Sequence, residues 1–257
     1  MSTLFNLSGK KAIITGSSKG IGKATAMRMA EHGAKVVITS RKIDACIEVE
    51  NEINNKYGSD TAMAMACNIS DKEQLEKLHS TSVDWCGDID ILVCNAAINP
   101  YFGPSLNTPD SAFEKIMRSN VQSNFWLSNM VLPTMIKNKS GSIIIISSIA
   151  GLHGSSLLGA YAISKAADSQ LARNISVEHG PHGIRANCIS PGLIKTDFAR
   201  ALWENESILK THTSKSALKR IGLPDEIAGA VIFLASEAGS FTTGQNIVID
   251  GGEGETV

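Results

Sequence analysis

The sequence predicts a doubly wound α/β protein, a sheet of seven parallel strands with helices on both faces. Three observations carry that expectation: seven short β-branched runs recur along the chain, longer helical stretches separate them, and several of the runs are apolar without alternation. A chain of 257 residues with 43% apolar and 19% charged residues can bury a substantial core. No linker, repeat or low-complexity tract divides it, so residues 1–257 read as one domain.

The strands are expected at KAIIT (11–15), KVVITS (35–40), TAMAMAC (61–67), DILVCN (90–95), SIIIIS (142–147), IRANCIS (184–190) and QNIVIDG (245–251). Helices are expected at 22–32, 44–57, 111–137, 159–178 and 225–236. Ser70-Asp71-Lys72-Glu73 has the form of a capping box that starts a further helix. The least regular stretch is 191–222.

The bulk numbers exclude several partners. Net charge is −1 with Lys and Arg scattered, which leaves no basic field for nucleic acid or acidic lipid. Five cysteines without a C-x-x-C pair suit a reducing compartment. The start MSTLFNLSGKK has too short an apolar run for a signal peptide, and Ile143–Ile146 is far too short to span a bilayer, so a cytoplasmic protein without membrane contact is expected. His179 and His182 are the only close histidine pair, and Gly180-Pro181 between them argues against a metal site. The expected partner is a small molecule.

Directly after the first strand comes Gly16-Ser17-Ser18-Lys19-Gly20-Ile21-Gly22, and a helix follows at once. Glycines there let the backbone turn tightly and approach a pyrophosphate, whose charge a helix N-terminus stabilises. The second strand ends in Ser40-Arg41, where an NAD-binding domain usually places an acidic residue for the ribose hydroxyls. Ser40 leaves room for a 2′-phosphate, Arg41 can grip it with a planar fork of donors, and Lys19 can add a second positive charge. NADP is therefore expected over NAD.

TGSSKGIG at 15, NAA at 95, Asn120, Ser148, YAISK at 161 and PGLIKT at 191 together resemble the short-chain dehydrogenase/reductase family, in its order and spacing over essentially the whole chain. The resemblance implies one Rossmann-like domain, a nicotinamide cofactor, and a catalytic set that maps onto Asn120, Ser148, Tyr161 and Lys165. It also implies a general acid/base role for Tyr161, a ribose contact for Lys165, and a helix bend with a held water at Asn120. Pro191, Gly192, Ile194 and Thr196 match the segment that holds the nicotinamide carboxamide; Asn68 and Ile69 lie near adenine, and Asn95 and Ala96 near the ribose. Two positions depart from the family pattern: Ala97 stands where glycine is usual, and Asn68 where aspartate is.

Tyr161 and Lys165 lie about 6 Å apart along a helix and share one face. A phenol of pKa about 10 is a poor base near neutrality, and lowering it by about three units takes roughly 4 kcal/mol, which nearby positive charges in a dry site can supply. Ser148 would hydrogen-bond the substrate oxygen as charge develops.

Around this site stand Ile98, Tyr101, Phe102, Leu152, Leu157, Leu158, Phe198, Leu202 and Trp203, which suit an apolar ketone, aldehyde or secondary alcohol, and His153 is a further candidate for the lining. NAAINPYFG and SPGLIKTDFARALWENE resemble the NADP-dependent, carbonyl- and retinal-reducing branch known from animal peroxisomal enzymes, while the ending GGEGETV lacks a Ser-Lys-Leu-type address. A 3-oxoacyl-carrier-protein reductase is the alternative, although Pro133 and His182 stand where that group carries docking arginines; a non-catalytic NADP sensor would not need Tyr161 and Lys165. Residues 196–223 read as a substrate lid or as a subunit contact. The long helices at 111–137 and 159–178 resemble the family's pairing elements, which suggests a homotetramer and leaves a dimer open.

Overall fold

Only Lys11 of β1 (Lys11–Thr15) keeps partial exposure. Burial is just as continuous in β4 (Ile91–Cys94) and β5 (Gly141–Ile146), and nearly so in β2 (Lys35–Ser40) and β6 (Ile184–Pro191). β3 (Ala62–Ala66) and β7 (Asn246–Ile249) are more open because they are the two edges of the sheet. The computed structural model describes residues 3–253; within them the sheet has the order β3-β2-β1-β4-β5-β6-β7, with every pair parallel.

Nine α-helical segments are present among the described residues: α1 (Gly20–Glu31), α2 (Ile43–Tyr57), α3 (Lys72–Cys86), α4 (Asp110–Ile116), α5 (Ser123–Asn138), α6 (Gly159–His179), α7 (Arg200–Trp203), α8 (Glu206–Lys215) and α9 (Pro224–Ala235). Successive strand residues point to opposite faces, so a strand covered on both sides must be apolar at every position. Ile14, Val36 and Ile38 meet Met29 of α1, Val49 and Ile53 of α2 and Val231 of α9. Ile13, Val37 and Leu92 meet Leu75 and Leu78 of α3, Leu127 and Val131 of α5 and Ala172 and Ile175 of α6. Two cores thus sandwich one sheet, which is the single-domain doubly wound architecture expected from the sequence.

Strand limits agree with the expected ones to within a residue or two, and so do four of the five helices. The fifth, expected as one helix over 111–137, is α4 and α5 joined by a π-helical turn at Met117–Gln122. The expected capping box is also corrected. Asp71, not Ser70, caps α3: its carboxylate accepts from the amides of Glu73 at 3.1 Å and Gln74 at 3.3 Å, and the Gln74 side chain donates back to it at 2.8 Å. A carboxylate is favoured over a hydroxyl at the positive end of the helix dipole, and the Ser70 hydroxyl instead meets that of Ser119 at 2.6 Å.

Parallel strands all deliver their following loops to one edge of the sheet. The chain runs outward from β1 to β3 and then returns to β4, so the loops after β1 and β4 diverge and leave a crevice, where ligands of such sheets bind.

Candidate active site

The loop after β1 is built to bring backbone close to backbone. Gly16 and Gly20 have φ of 66° and 56°, the left-handed region. A Cβ on Gly22 would lie 2.3 Å from the Gly16 carbonyl oxygen and 2.6 Å from the Asn95 amide nitrogen, so only glycine lets α1 start this near the strand end. Asn95, after β4, donates to the carbonyls of Thr15 at 2.9 Å and Gly16 at 3.1 Å, while the Thr15 hydroxyl accepts from the amides of Asn95 and Ala96. The Asn95 side chain therefore clasps the loop, a structural use that its assignment near the ribose did not include. The Ser17 hydroxyl is likewise engaged, donating to the Ile14 carbonyl at 2.7 Å and accepting from the Thr39 amide at 2.9 Å. Ser18 and Ile21 stay partly exposed at the helix entry. The cradle and the bare amides of the α1 N-terminus fit the diphosphate of a dinucleotide.

Ser40 and Arg41 close β2, with Arg41 exposed. Lys19 reaches the other way, its ammonium 3.2 Å from the Asp197 carboxylate. After β3 the Asn68 amide oxygen accepts from the Ser70 backbone at 3.2 Å, and Ile69 packs beside the second core. Pro191 ends β6, Gly192 sits where a Cβ would come 2.8 Å from Asp250, and the side chain of Thr196 lies against Gly20. Ile194 pairs with Gly222 in an isolated bridge.

The catalytic candidates converge after β5. Ser148 follows the strand, and its hydroxyl accepts from the Ala150 amide at 3.1 Å. Tyr161 and Lys165 project from α6, with the Lys165 nitrogen 5.8 Å from the centre of the Tyr161 ring. Asn120 lies in the π turn; its side chain accepts from the Ile98 amide at 2.9 Å and donates to the Ile98 carbonyl and the Ser164 hydroxyl, each at 3.0 Å. Ser164 in turn donates to the Tyr161 carbonyl. Asn120 thus joins the loop after β4 to α6, its side chain meeting Ile98 and Ser164 and not Lys165.

Lys165 is 2% exposed, donates to the Ile146 carbonyl at 2.9 Å and pairs with Asp168 at 3.1 Å. Its desolvation would lower its pKa, but the charge and hydrogen bond of Asp168, helped by Tyr161, outweigh that and hold the proton on. Burial pushes the Tyr161 phenol above its usual value; Lys165 and a hydrogen bond with Ser148 pull it down, and Asp168 adds to the rise. Sequence reasoning missed Asp168 and its second partner Asn124. The available signal was position: Lys165, Asp168, Ala172 and Ile175 fall on the buried face of α6.

The loops around the site touch. Gly103 donates to the Leu157 carbonyl at 2.9 Å, and the Tyr161 and Phe198 rings lie 6.2 Å apart, which brings the 196–203 stretch to Tyr161. Phe102, Leu152 and Leu157 are exposed and Ile98, Tyr101, Leu158 and Leu202 half-buried, whereas His153 faces solvent. The Trp203 indole donates to the Thr196 carbonyl at 2.8 Å, bracing its own segment.

A glycine cradle at the crevice of a parallel sheet, next to a buried lysine and a tyrosine, defines a dinucleotide-dependent oxidoreductase. A family model described as enoyl-(acyl carrier protein) reductase matches residues 16–253. "Dehydrogenase/reductase SDR family member 4" of Oryctolagus cuniculus is 40% identical over 96% of this chain and 94% of its own. Among solved structures, a 7α-hydroxysteroid dehydrogenase complexed with NADH and 7-oxo glycochenodeoxycholic acid is 37% identical with a TM-score of 0.93, covering 98% of this chain and 97% of its own. A gluconate 5-dehydrogenase from Burkholderia cenocepacia, in complex with NADP and tartrate, is 30% identical with a TM-score of 0.93 over 99% of both chains. The chain belongs to the short-chain dehydrogenase/reductase family and is a hydride-transfer oxidoreductase with a Rossmann-like fold.

Proposed function

We propose that this protein is an NADP(H)-dependent reductase of apolar ketones or aldehydes, able to oxidise the corresponding secondary alcohols. The observation that carries the reading is the meeting of Tyr161, Ser148 and the buried Lys165 beside the glycine cradle. When bound, the cofactor supplies the hydride to the carbonyl carbon or accepts it from the alcohol. Tyr161 gives its phenolic proton to the carbonyl oxygen in reduction and takes it back in oxidation. Ser148 donates a hydrogen bond to that oxygen as negative charge develops. Two of the three Lys165 N–H groups go to Ile146 and Asp168, and the third would hold the nicotinamide ribose.

The two ligand-bound relatives above carry NADH and NADP respectively, so cofactor choice depends on the residues after β2. Ser40 and Arg41 there, with no acidic side chain beside them, favour the 2′-phosphate. Gly16, Ser17, Ser18, Lys19, Gly20, Ile21 and Gly22 are assigned to the diphosphate and 2′-phosphate, Asn68 and Ile69 to adenine, Asn95 and Ala96 to the ribose, and Pro191, Gly192, Ile194 and Thr196 to the carboxamide. A carrier-protein substrate is the second reading, because the matching family model bears that description. Pro133 and His182 supply no arginine for an acidic carrier, and this places the small carbonyl first.

We further assign residues 196–223 to a substrate lid, and the protein to the cytoplasm as a homotetramer. No helix among the described residues is long and apolar enough to cross a membrane. Residues 254–257 of the ending GGEGETV, read above for a targeting address, lie outside the described residues. A panel of ketones, aldehydes and secondary alcohols with NADPH and NADH tests the reading. Turnover of apolar carbonyls with a clear NADPH preference supports it; equal efficiency with both cofactors overturns the cofactor assignment, and no turnover overturns the function.

A further inference from the structure

An ammonium taken out of water is costly unless a counter-charge accompanies it. Lys165 has such a companion one turn further along α6. Asp168 is 0% exposed; one carboxylate oxygen lies 3.1 Å from the Lys165 nitrogen, and the other accepts from the Asn124 amide at 2.9 Å. The same amide nitrogen of Asn124 donates to the Asn120 carbonyl at 2.6 Å. The carboxylate therefore bridges α6 to α5 at the point where the π turn ends.

Stability alone does not account for this arrangement. A buried ion pair is often no more stabilising than apolar residues of the same volume, and apolar side chains fill most of the neighbouring face of the sheet. The titratable groups facing the pair are few. Cys94 of β4 and Cys188 of β6 are buried thiols held neutral chiefly by desolvation, and both feel the Asp168 charge. From α5 only the neutral Asn124 makes contact, and from α6 itself Tyr161 completes the set. With the thiols neutral, Lys165 and Asp168 are the two fixed charges that act on the phenol.

We propose that Asp168 is a positioning residue for proton transfer: its carboxylate fixes the Lys165 ammonium against Ile146 and, by offsetting that charge, sets the pH at which Tyr161 exchanges its proton. Without the carboxylate the buried Lys165 ammonium needs another anion beside it to keep its proton, and the Tyr161 phenolate is the group placed to serve, so the phenol ionises more readily. The inference rests on the assignment of Tyr161 as the acid/base.

The test is a titration of tyrosinate absorbance in the complex with NADP⁺. The protein has three tyrosines, and subtracting the Tyr161→Phe titration isolates the one of interest. In Asp168→Asn the Tyr161 ionisation should move to lower pH by about one unit or more, and the rising limb of the kcat profile for alcohol oxidation should move with it. Asp168→Ser, small and neutral, should behave alike and guards against a packing defect peculiar to asparagine. A Tyr161 midpoint equal to that of the parent, with turnover lowered evenly at every pH, would make Asp168 a packing residue and overturn the proposal. Failure of both neutral variants to fold would do the same. Absence of turnover in the parent would count against the functional reading alone, since the titration needs no turnover and still decides the role of Asp168.

Discussion

Tyr161 carries the one phenol placed next to Lys165, and removing its oxygen leaves ring, helix and cradle untouched. Tyr161→Phe is expected to lower kcat by roughly 10²–10⁴-fold while NADPH affinity, read by fluorescence titration, changes little. Lys165→Met should differ in two ways. Cofactor affinity falls, because the ribose contact goes, and thermal stability falls too, because Asp168 keeps its burial and loses its counter-charge; breaking such a pair costs about 3–5 kcal/mol. The pH dependence of that loss has a definite sign. Burial already raises the Asp168 carboxyl, with Lys165 and Asn124 pulling it back. In Lys165→Met the folded pKa rises further above the unfolded one, so stability is fullest below the unfolded value and declines as pH rises toward the folded one. Melting curves of the variant should show a higher Tm at pH 5 than at pH 8. The convergence of the glycine loop, Ser148, Tyr161 and Lys165 in one candidate site was legible from their order and spacing as a set, since each of them alone reads as an ordinary turn, strand-end or helix residue. Asp168 was not: an acid three residues after a lysine reads as a solvated helix pair, and its meaning depends on which face the fold buries.

A π turn admits one extra residue without Pro or Gly to announce it, which is why 111–137 reads as a single helix while Met117–Gln122 is wound differently. The turn buries the Asn120 side chain between Ile98 and Ser164. Helix starts are more readable, yet the choice between Ser70 and Asp71 fell to electrostatics. Asp71→Ala should destabilise the protein by about 1 kcal/mol in urea unfolding, with a smaller effect for Ser70→Ala. In the 196–223 segment, Asp197 holds both Lys19 at 3.2 Å and Arg200 at 2.5 Å, and these cations in turn keep its carboxyl below the usual range. Asp197→Asn releases Lys19 toward the 2′-phosphate, so KM for NADPH should fall severalfold while KM for NADH stays put; equal changes for both would remove Lys19 from the phosphate site. Trp203→Ala should raise KM for bulky apolar ketones more than for small ones, without changing the oligomeric state. Loss of activity toward all substrates alike would make the segment purely structural.

Exposed apolar side chains gather on the helices that flank the site: Phe113 of α4, Phe125 (50% exposed) of α5, and Ile163 and Val177 (79% exposed) of α6. A homotetramer that covers them should appear in native mass spectrometry, and Phe125→Glu with Val177→Glu should split it; a monomeric parent would refute the assignment. Strand order was legible only as a class, since seven apolar runs with helices between them fix a parallel sheet but not which strand lies beside which. That order also dictates when each part of the machine can exist. β1 lies between β2 and β4, and Asn95 locks the loop of Gly16, so the glycine loop and its clasp have both been synthesised before α6, with its tyrosine and lysine, begins. The far edge is later in the chain: β7 pairs with β6, and just beyond it the carbonyls of Gly252 and Gly251 accept from the amides of Ala217 and Leu218 and hold down the end of the 196–223 segment. A growing chain thus presents the parts of the candidate site in order, first the glycine loop with its Asn95 clasp, then Tyr161 and Lys165, and later the Gly251 and Gly252 carbonyls that anchor the end of the 196–223 segment.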